Sequence, residues 1–137
     1  MKKLFLLSII LMGLTLAACA ASETTQAPVI TYENITTESL LGMMNERRDS
    51  FVLINALDFN LASIPTTDHM IPFDQLANHL DLLPTDKDAE IVLYCRSGNK
   101  SATAADELIR LGYTNVKNLL GGIQAWHEAG LPLFLDP

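Results

Sequence analysis

The stretch Glu90-Ile91-Val92-Leu93-Tyr94-Cys95-Arg96-Ser97-Gly98-Asn99-Lys100-Ser101 constrains this chain more tightly than any other. Ile91 to Tyr94 is an unbroken apolar, β-prone run, the pattern of a strand buried on both faces of a parallel sheet. The chain then turns through Cys95 to Lys100 and enters an Ala-rich helical pattern at Ser101-Ala102-Thr103-Ala104-Ala105. A cysteine therefore stands at the carboxyl end of a buried strand, just ahead of a helix N-terminus. Open α/β sheets bind ligands at that edge, and the helix end offers unpaired N–H groups and a positive dipole. Such surroundings lower a thiol's pKa to roughly 3.5–7.5. Gly98 lets the backbone turn inward so that successive N–H groups converge on one anion. Ser97, Asn99 and Ser101 shape the cradle, and Arg96 and Lys100 bring positive charge to its rim. The stretch reads as a nucleophile held in an anion cradle.

The front of the chain has another purpose. Lys2-Lys3 precede the apolar run Leu4 to Leu16, followed by Ala17-Ala18-Cys19-Ala20. A basic start, a short apolar run and small residues at the cleavage site describe a secretory signal, too short for a membrane-spanning helix. Residues 1–18 are read as this signal, 19–28 as a small, polar, Thr-rich tether, and 29–137 as one folded domain. Without Lys2 and Lys3, seven Lys and Arg face sixteen Asp and Glu, a net charge of −9. That balance excludes nucleic acid as a partner, because its phosphates would be repelled. Of the two cysteines only Cys95 lies within the domain, so no internal disulfide and no multi-cysteine zinc site can form. A lone thiol in an oxidising compartment is a liability unless it is used.

Buried-strand runs alternate with helical patterns along the domain, which predicts a three-layer α/β/α fold with a small, mainly parallel, five-stranded sheet. Val29 to Tyr32 reads as a short edge strand. Thr36 or Thr37 caps a helix that buries Leu40, Leu41, Met43 and Met44 and ends near Arg47-Arg48, where the cations suit the helix dipole. Phe51 to Ala56 is a second buried strand, and Met70-Ile71-Pro72 a short edge strand. Phe73 to Leu80 suggests a short helix, and Leu83 to Asp88 a polar turn. After the loop, Ala102, Ala105, Leu108, Ile109 and Leu111 form the buried face of a helix that Gly112 stops. Asn115 to Leu119 is the last strand, Gly121-Gly122 a tight turn, and Trp126 a core residue on a terminal helix. His69, His79 and His127 read as structural or exposed.

The run Cys95-Arg96-Ser97-Gly98-Asn99-Lys100-Ser101 resembles the active-site loop of the rhodanese (sulfurtransferase) family. Leu111-Gly112-Tyr113-Thr114-Asn115-Val116 and Leu119-Leu120-Gly121-Gly122-Ile123-Gln124-Ala125-Trp126 resemble the closing motifs of the same family, in order. Leu16-Ala17-Ala18-Cys19 resembles a bacterial lipobox, which implies export and a lipid on Cys19 that anchors the domain to the bacterial cell membrane, on its periplasmic or extracellular face. One family pattern is missing. Where the family commonly has Asp-x-Arg followed by an acidic residue and Gly-His-Ile-Pro-Gly, this chain has Asn55-Ala56-Leu57 and Ala62-Ser63-Ile64-Pro65-Thr66, on a shorter connection. The lost arginine and its acidic partner vanish together. Asn55 can hydrogen-bond but brings no charge to support the loop.

The resemblance implies double displacement. Cys95 takes a sulfane sulfur from a small anionic donor such as thiosulfate, and a thiol or protein acceptor removes it, without metal or organic cofactor. Arg96 and Lys100 would attract the donor, Lys100 with a point charge where the family commonly places a forked arginine. A monomer is expected. A cysteine phosphatase or arsenate reductase is the neighbouring chemistry, but its loop closes with arginine at the position of Ser101. A non-catalytic binding or persulfide-sensing module is the alternative from a different class.

Overall fold

A computed structural model of the chain describes residues 29–58 and 62–135. The signal, Cys19 and the tether lie outside the described residues.

The elements in chain order are β1 (Glu33–Ile35), α1 (Thr37–Arg47), β2 (Phe51–Asn55), β3 (Ala62–Ser63), β4 (His69–Met70), β5 (Glu90–Tyr94), α2 (Asn99–Arg110), β6 (Val116–Leu119), α3 (Gly122–Glu128) and β7 (Phe134–Leu135). Five strands form one sheet in the order β1-β6-β5-β2-β4, with every neighbouring pair parallel. β3 and β7 form a separate antiparallel pair. The apolar run of β5 occupies the middle of the sheet, where residues on both faces need cover. Ile91 and Leu93 face one core with Ile54, Ala104, Ala105 and Leu108, so α2 covers that side. Val92 and Tyr94 face a second core with Leu40, Met43, Leu53 and Trp126, so α1 and α3 cover the other. The three-layer α/β/α class is the one observed.

Local boundaries differ from the sequence reading where tertiary packing decides them. The first strand is Glu33–Ile35 rather than 29–32, because Ile35 enters the core beside Leu119 while Val29 and Ile30 remain exposed. The edge strand is His69–Met70, paired with Ile54 and Asn55, and ends before Pro72, which cannot donate to the ladder. Two 3₁₀ turns, Leu76–Asn78 and Leu80–Leu82, replace the expected short helix. Leu76 is the one buried anchor in that span, too little apolar surface for a longer amphipathic helix. Helix α2 starts at Asn99, with Gly98 as its cap, so Lys100 and Ser101 belong to its first turn.

The arginines at the end of α1 do more than suit a dipole. Arg48 donates to Asp68 Oδ2 at 2.7 Å, to Thr66 Oγ1 at 2.8 Å, to the Phe51 carbonyl at 3.0 Å and to the Thr66 carbonyl. Thr66 has φ = 64°, a left-handed conformation that a β-branched residue resists. It stands where the family's second motif ends in glycine, and Arg48 holds it there. Asp68 also accepts the Leu53 N–H at 2.7 Å. The Arg48–Asp68 pair thus ties the variant connection to β2 without the family's Asp-x-Arg arginine. Arg47 reaches Glu90 at the start of β5, whose carboxyl lies below its usual pKa because of the Arg47 hydrogen bond.

Candidate active site

β5 delivers Cys95 to the carboxyl edge of the sheet, and Gly98 turns the chain back into α2 with φ = 94°. A Cβ at Gly98 would lie 3.1 Å from the Leu119 carbonyl oxygen and 3.2 Å from the Gly121 nitrogen, so the turn needs glycine on both counts. The Cys95 sulfur is almost wholly buried and accepts the Gly98 N–H at 3.1 Å. The Ser101 hydroxyl lies 3.4 Å from it. Burial pushes the thiol up, but the Ser101 hydroxyl and the N–H groups of Ser101, Ser97 and Gly98 outweigh it, and the net pKa is lowered. The physical cause is a set of donors aimed at one sulfur, which favours the anion.

The loop's carbonyls are held from behind by α3. The Ile123 N–H donates to the Cys95 carbonyl at 2.9 Å, and the Gln124 N–H to the Arg96 carbonyl at 3.1 Å. Gly122, at φ = 53°, makes that approach possible, since a Cβ there would overlap the Cys95 carbonyl and lie 2.8 Å from the Arg96 carbonyl carbon. With the carbonyls engaged outward, the N–H groups are left to the sulfur. The Gly-Gly-Ile-Gln segment is therefore the backing plate of the loop. Trp126 anchors it in the core and donates its indole N–H to the Pro132 carbonyl at 2.8 Å.

The remaining loop residues divide by environment. Arg96, Ser97 and Asn99 are exposed at the mouth. Among the described residues Arg96 has no carboxylate partner. An apolar cavity of about 520 Å³ opens beside it, walled by Leu57, Ile123, Leu133 and Leu135. Lys100 does not stand free at the rim, as the sequence reading had it. Its ammonium binds both oxygens of Asp58 at 2.8 Å and lies 5.1 Å from the centre of the Phe73 ring. Asp58 is correspondingly more acidic than usual, first through that hydrogen bond. Asp58 follows β2, and nothing in its local sequence marks it as a partner for a residue in the first turn of α2.

Asn55 bonds to the connection after β2 and not to the loop. Its Oδ1 accepts the Leu57 N–H at 3.1 Å and its Nδ2 donates to the Ala62 carbonyl at 3.4 Å, so it braces the β2–β3 connection. Two asparagines missed by sequence reasoning lie behind the sulfur instead. Asn118 on β6 accepts the Ser101 hydroxyl at 2.7 Å and donates to Asn34 on β1 at 2.9 Å. The available signal was weak: Asn118 sits between Lys117 and Leu119 in β6, where the period-2 alternation gives Asn118 the same face as the buried Val116. His69 and His79 are half-buried and His127 is exposed. Among the described residues no group of three His, Cys, Asp or Glu could hold a metal ion.

A family model described as the rhodanese-like domain matches residues 36–129 of the chain. The chain belongs to the rhodanese-like domain family. A sulfurtransferase of Allochromatium vinosum is 45% identical over 69 residues, covering 47% of this chain and 64% of that protein. A chloroplastic thiosulfate sulfurtransferase 16 of Arabidopsis thaliana is 43% identical over 42 residues, 31% of this chain and 35% of its own. The chain thus spans less than two thirds of these relatives. A rhodanese-related protein from Thermoplasma volcanium superposes with a TM-score of 0.62 at 27% identity, covering 77% of this chain and 100% of that one. In this rhodanese-like domain the position where a phosphatase loop would close with arginine holds Ser101, buried and bonded inward.

Replacing Gly122 by Ala tests the backing plate. The new Cβ strains the left-handed backbone and collides with the loop's carbonyls, at a cost of about 3 kcal/mol or more in stability. Urea unfolding measures that loss, and slower alkylation of Cys95 in the folded variant shows that the loop has moved.

Proposed function

We propose that this domain transfers sulfane sulfur through a persulfide on Cys95. The observation that carries the reading is the sulfur itself, buried at the end of β5 with the Gly98 N–H at 3.1 Å and the Ser101 hydroxyl at 3.4 Å. The thiolate attacks the outer sulfur of a donor such as thiosulfate. A Cys–S–S⁻ bond forms, the donor's own S–S bond breaks, and its electron pair leaves with sulfite. The terminal sulfur keeps the negative charge, and N–H groups already oriented toward the site stabilise it with little reorganisation. A thiophilic acceptor, a small thiol or a protein cysteine, then removes that sulfur and returns the thiolate. Arg96 is the cation free to meet an anionic donor or acceptor, and the apolar cavity beside it accommodates an organic substituent. Intact mass after incubation with thiosulfate tests the reading: one added sulfur atom is expected on the parent protein and none on Cys95→Ser. A parent protein that gains no sulfur from thiosulfate or from an organic persulfide refutes it and leaves a non-catalytic module.

Asp58 adjusts the charge of the mouth. By engaging Lys100 it leaves Arg96 as the single uncompensated cation at the loop among the described residues, within a domain of net negative charge. Half-exposed pairs of this kind are weak and screened by salt. Asp58→Asn frees Lys100 and should raise kcat/KM for thiosulfate about two- to fivefold, a gain that shrinks at high salt. The rate with an uncharged persulfide donor should not move. A parallel change for both donors would mean that the Asp58–Lys100 pair shapes the loop and does not set its charge.

We propose that Cys19 is lipidated and tethers the domain through residues 19–28 to a bacterial membrane, on its periplasmic or extracellular face, bringing it to exported sulfur compounds or protein thiols. One acyl chain holds a protein only marginally, so the anchor requires more than one chain. Among the described residues no helix is long and apolar enough to cross a membrane. Expression of Cys19→Ser should leave an unprocessed leader and change the partition between membrane and soluble fractions. Processing and partition identical to the parent would rule the lipid out.

A further inference from the structure

Asn118 occupies a position where a parallel sheet ordinarily places an apolar residue. It is 2% exposed and lies between β5 and β1. A buried amide is costly unless its hydrogen bonds are met, and here both ends are used. Asn118 touches Ser101 Oγ at 2.7 Å on one side and Asn34 at 2.9 Å on the other. Ser101 is fully buried, and its one hydroxyl hydrogen has two candidate acceptors, Asn118 Oδ1 and the Cys95 sulfur. Only one can have it at a time.

The four side chains form a line from surface to sulfur: Asn34, Asn118, Ser101, Cys95. That line can be polarised in two directions with no backbone movement, by exchanging the amide oxygen and nitrogen positions of the two asparagines. In the outward direction the thiol S–H points to Ser101, Ser101 donates to Asn118 Oδ1, and Asn118 Nδ2 donates to Asn34 Oδ1. Turning both amides by half a rotation reverses it. Asn34 Nδ2 then donates to Asn118 Oδ1, Asn118 Nδ2 donates to Ser101 Oγ, and the Ser101 O–H points at the sulfur. The outward arrangement suits a neutral thiol and the inward one a thiolate. Every member is satisfied in both. Asn34, the terminal member, is exposed on β1 and can turn in water when the buried amide turns.

We propose that Asn118, held by Asn34, is a positioning residue that sets the direction of the Ser101 hydroxyl and so controls the ionisation of Cys95. No proton is transferred along the line; side chains rotate, and the thiol proton leaves to solvent. The other titratable groups on the elements around the sulfur are few. They are Arg96 on the loop, Lys100 of α2 with its partner Asp58, Asp106 and the paired Glu107 and Arg110 in the later turns of α2, Tyr94 of β5, Lys117 of β6 paired with Glu33 and Glu90, and His127 and Glu128 at the far end of α3. None of them lies on the Asn34–Asn118–Ser101 line.

The test fixes the polarity by chemistry. A carboxylate can only accept, so Asn34→Asp compels Asn118 Nδ2 to face residue 34, leaves Asn118 Oδ1 toward Ser101, and locks the outward direction. Asn118→Asp does the same from inside. Alkylation of Cys95 by iodoacetamide, followed against pH in the full domain, reads the thiol midpoint. Both variants should raise it by about one pH unit, a tenfold slower reaction below the midpoint. Asn34 is on the surface, so its variant keeps the experiment decisive if Asn118→Asp does not fold. Ser101→Ala should itself raise the midpoint, and Asn34→Asp should add nothing in that background. A midpoint in Asn34→Asp equal to the parent's overturns the inference. So does an equal shift with and without Ser101, which would mean simple charge repulsion at a distance. The inference rests on Cys95 as the reacting group, but alkylation needs no sulfur transfer, so its failure is separate from failure of the persulfide reading.

Discussion

Two hydrogen bonds hold the centre of this molecule. The N–H groups of Ile123 and Gln124 engage the carbonyls of Cys95 and Arg96 from the first turn of α3. A loop between strand and helix has as many carbonyls as amides, and an anion site needs only the amides. Turning the carbonyls toward another helix's N-terminus separates the two sets. The separation requires close backbone approach, hence a glycine at 122, and that glycine must be held against the loop, hence the buried Trp126 a turn later. The site is made by two segments far apart in sequence that meet at one sheet edge.

Around that contact the sheet places everything else. β5 is central and apolar on both faces, so α2 on one side and α1 with α3 on the other bury it, and its carboxyl end points out of all three layers. A thiol there is close to backbone donors and screened from bulk water, and the donors outweigh the cost of burial. The charges at the mouth are sparse because Asp58 engages Lys100, leaving Arg96 to face the apolar cavity. The asymmetry is physical: dipoles favour an anion on the sulfur, and the mouth presents one cation beside an apolar wall.

The variant connection after β2 shows how a fold keeps a geometry while changing its ties. The usual motif is absent, and Thr66 takes a backbone conformation that glycine would adopt freely. Arg48 and Asp68, from outside the motif, supply the hydrogen bonds that hold it. The connection serves its end through different residues.

Much of the design was legible in the chain. Ile91 to Tyr94, the cysteine turn and the alanine-rich helix after it fix a nucleophile at a sheet edge, because strand burial and helix dipoles are local consequences of local patterns. Gly121-Gly122 and Trp126 announced a tight turn and a packed helix. What they pack against was not written locally. The partner of Lys100, the clamp of Arg48 on Thr66, and the links from Asn34 to Asn118 and from Asn118 to Ser101 each join residues 17 to 84 positions apart. A polar residue in a strand looks the same whether it faces water or a reactive sulfur. Only the parallel order β1-β6-β5, which brings Asn34 and Asn118 side by side behind Cys95, decides which it is.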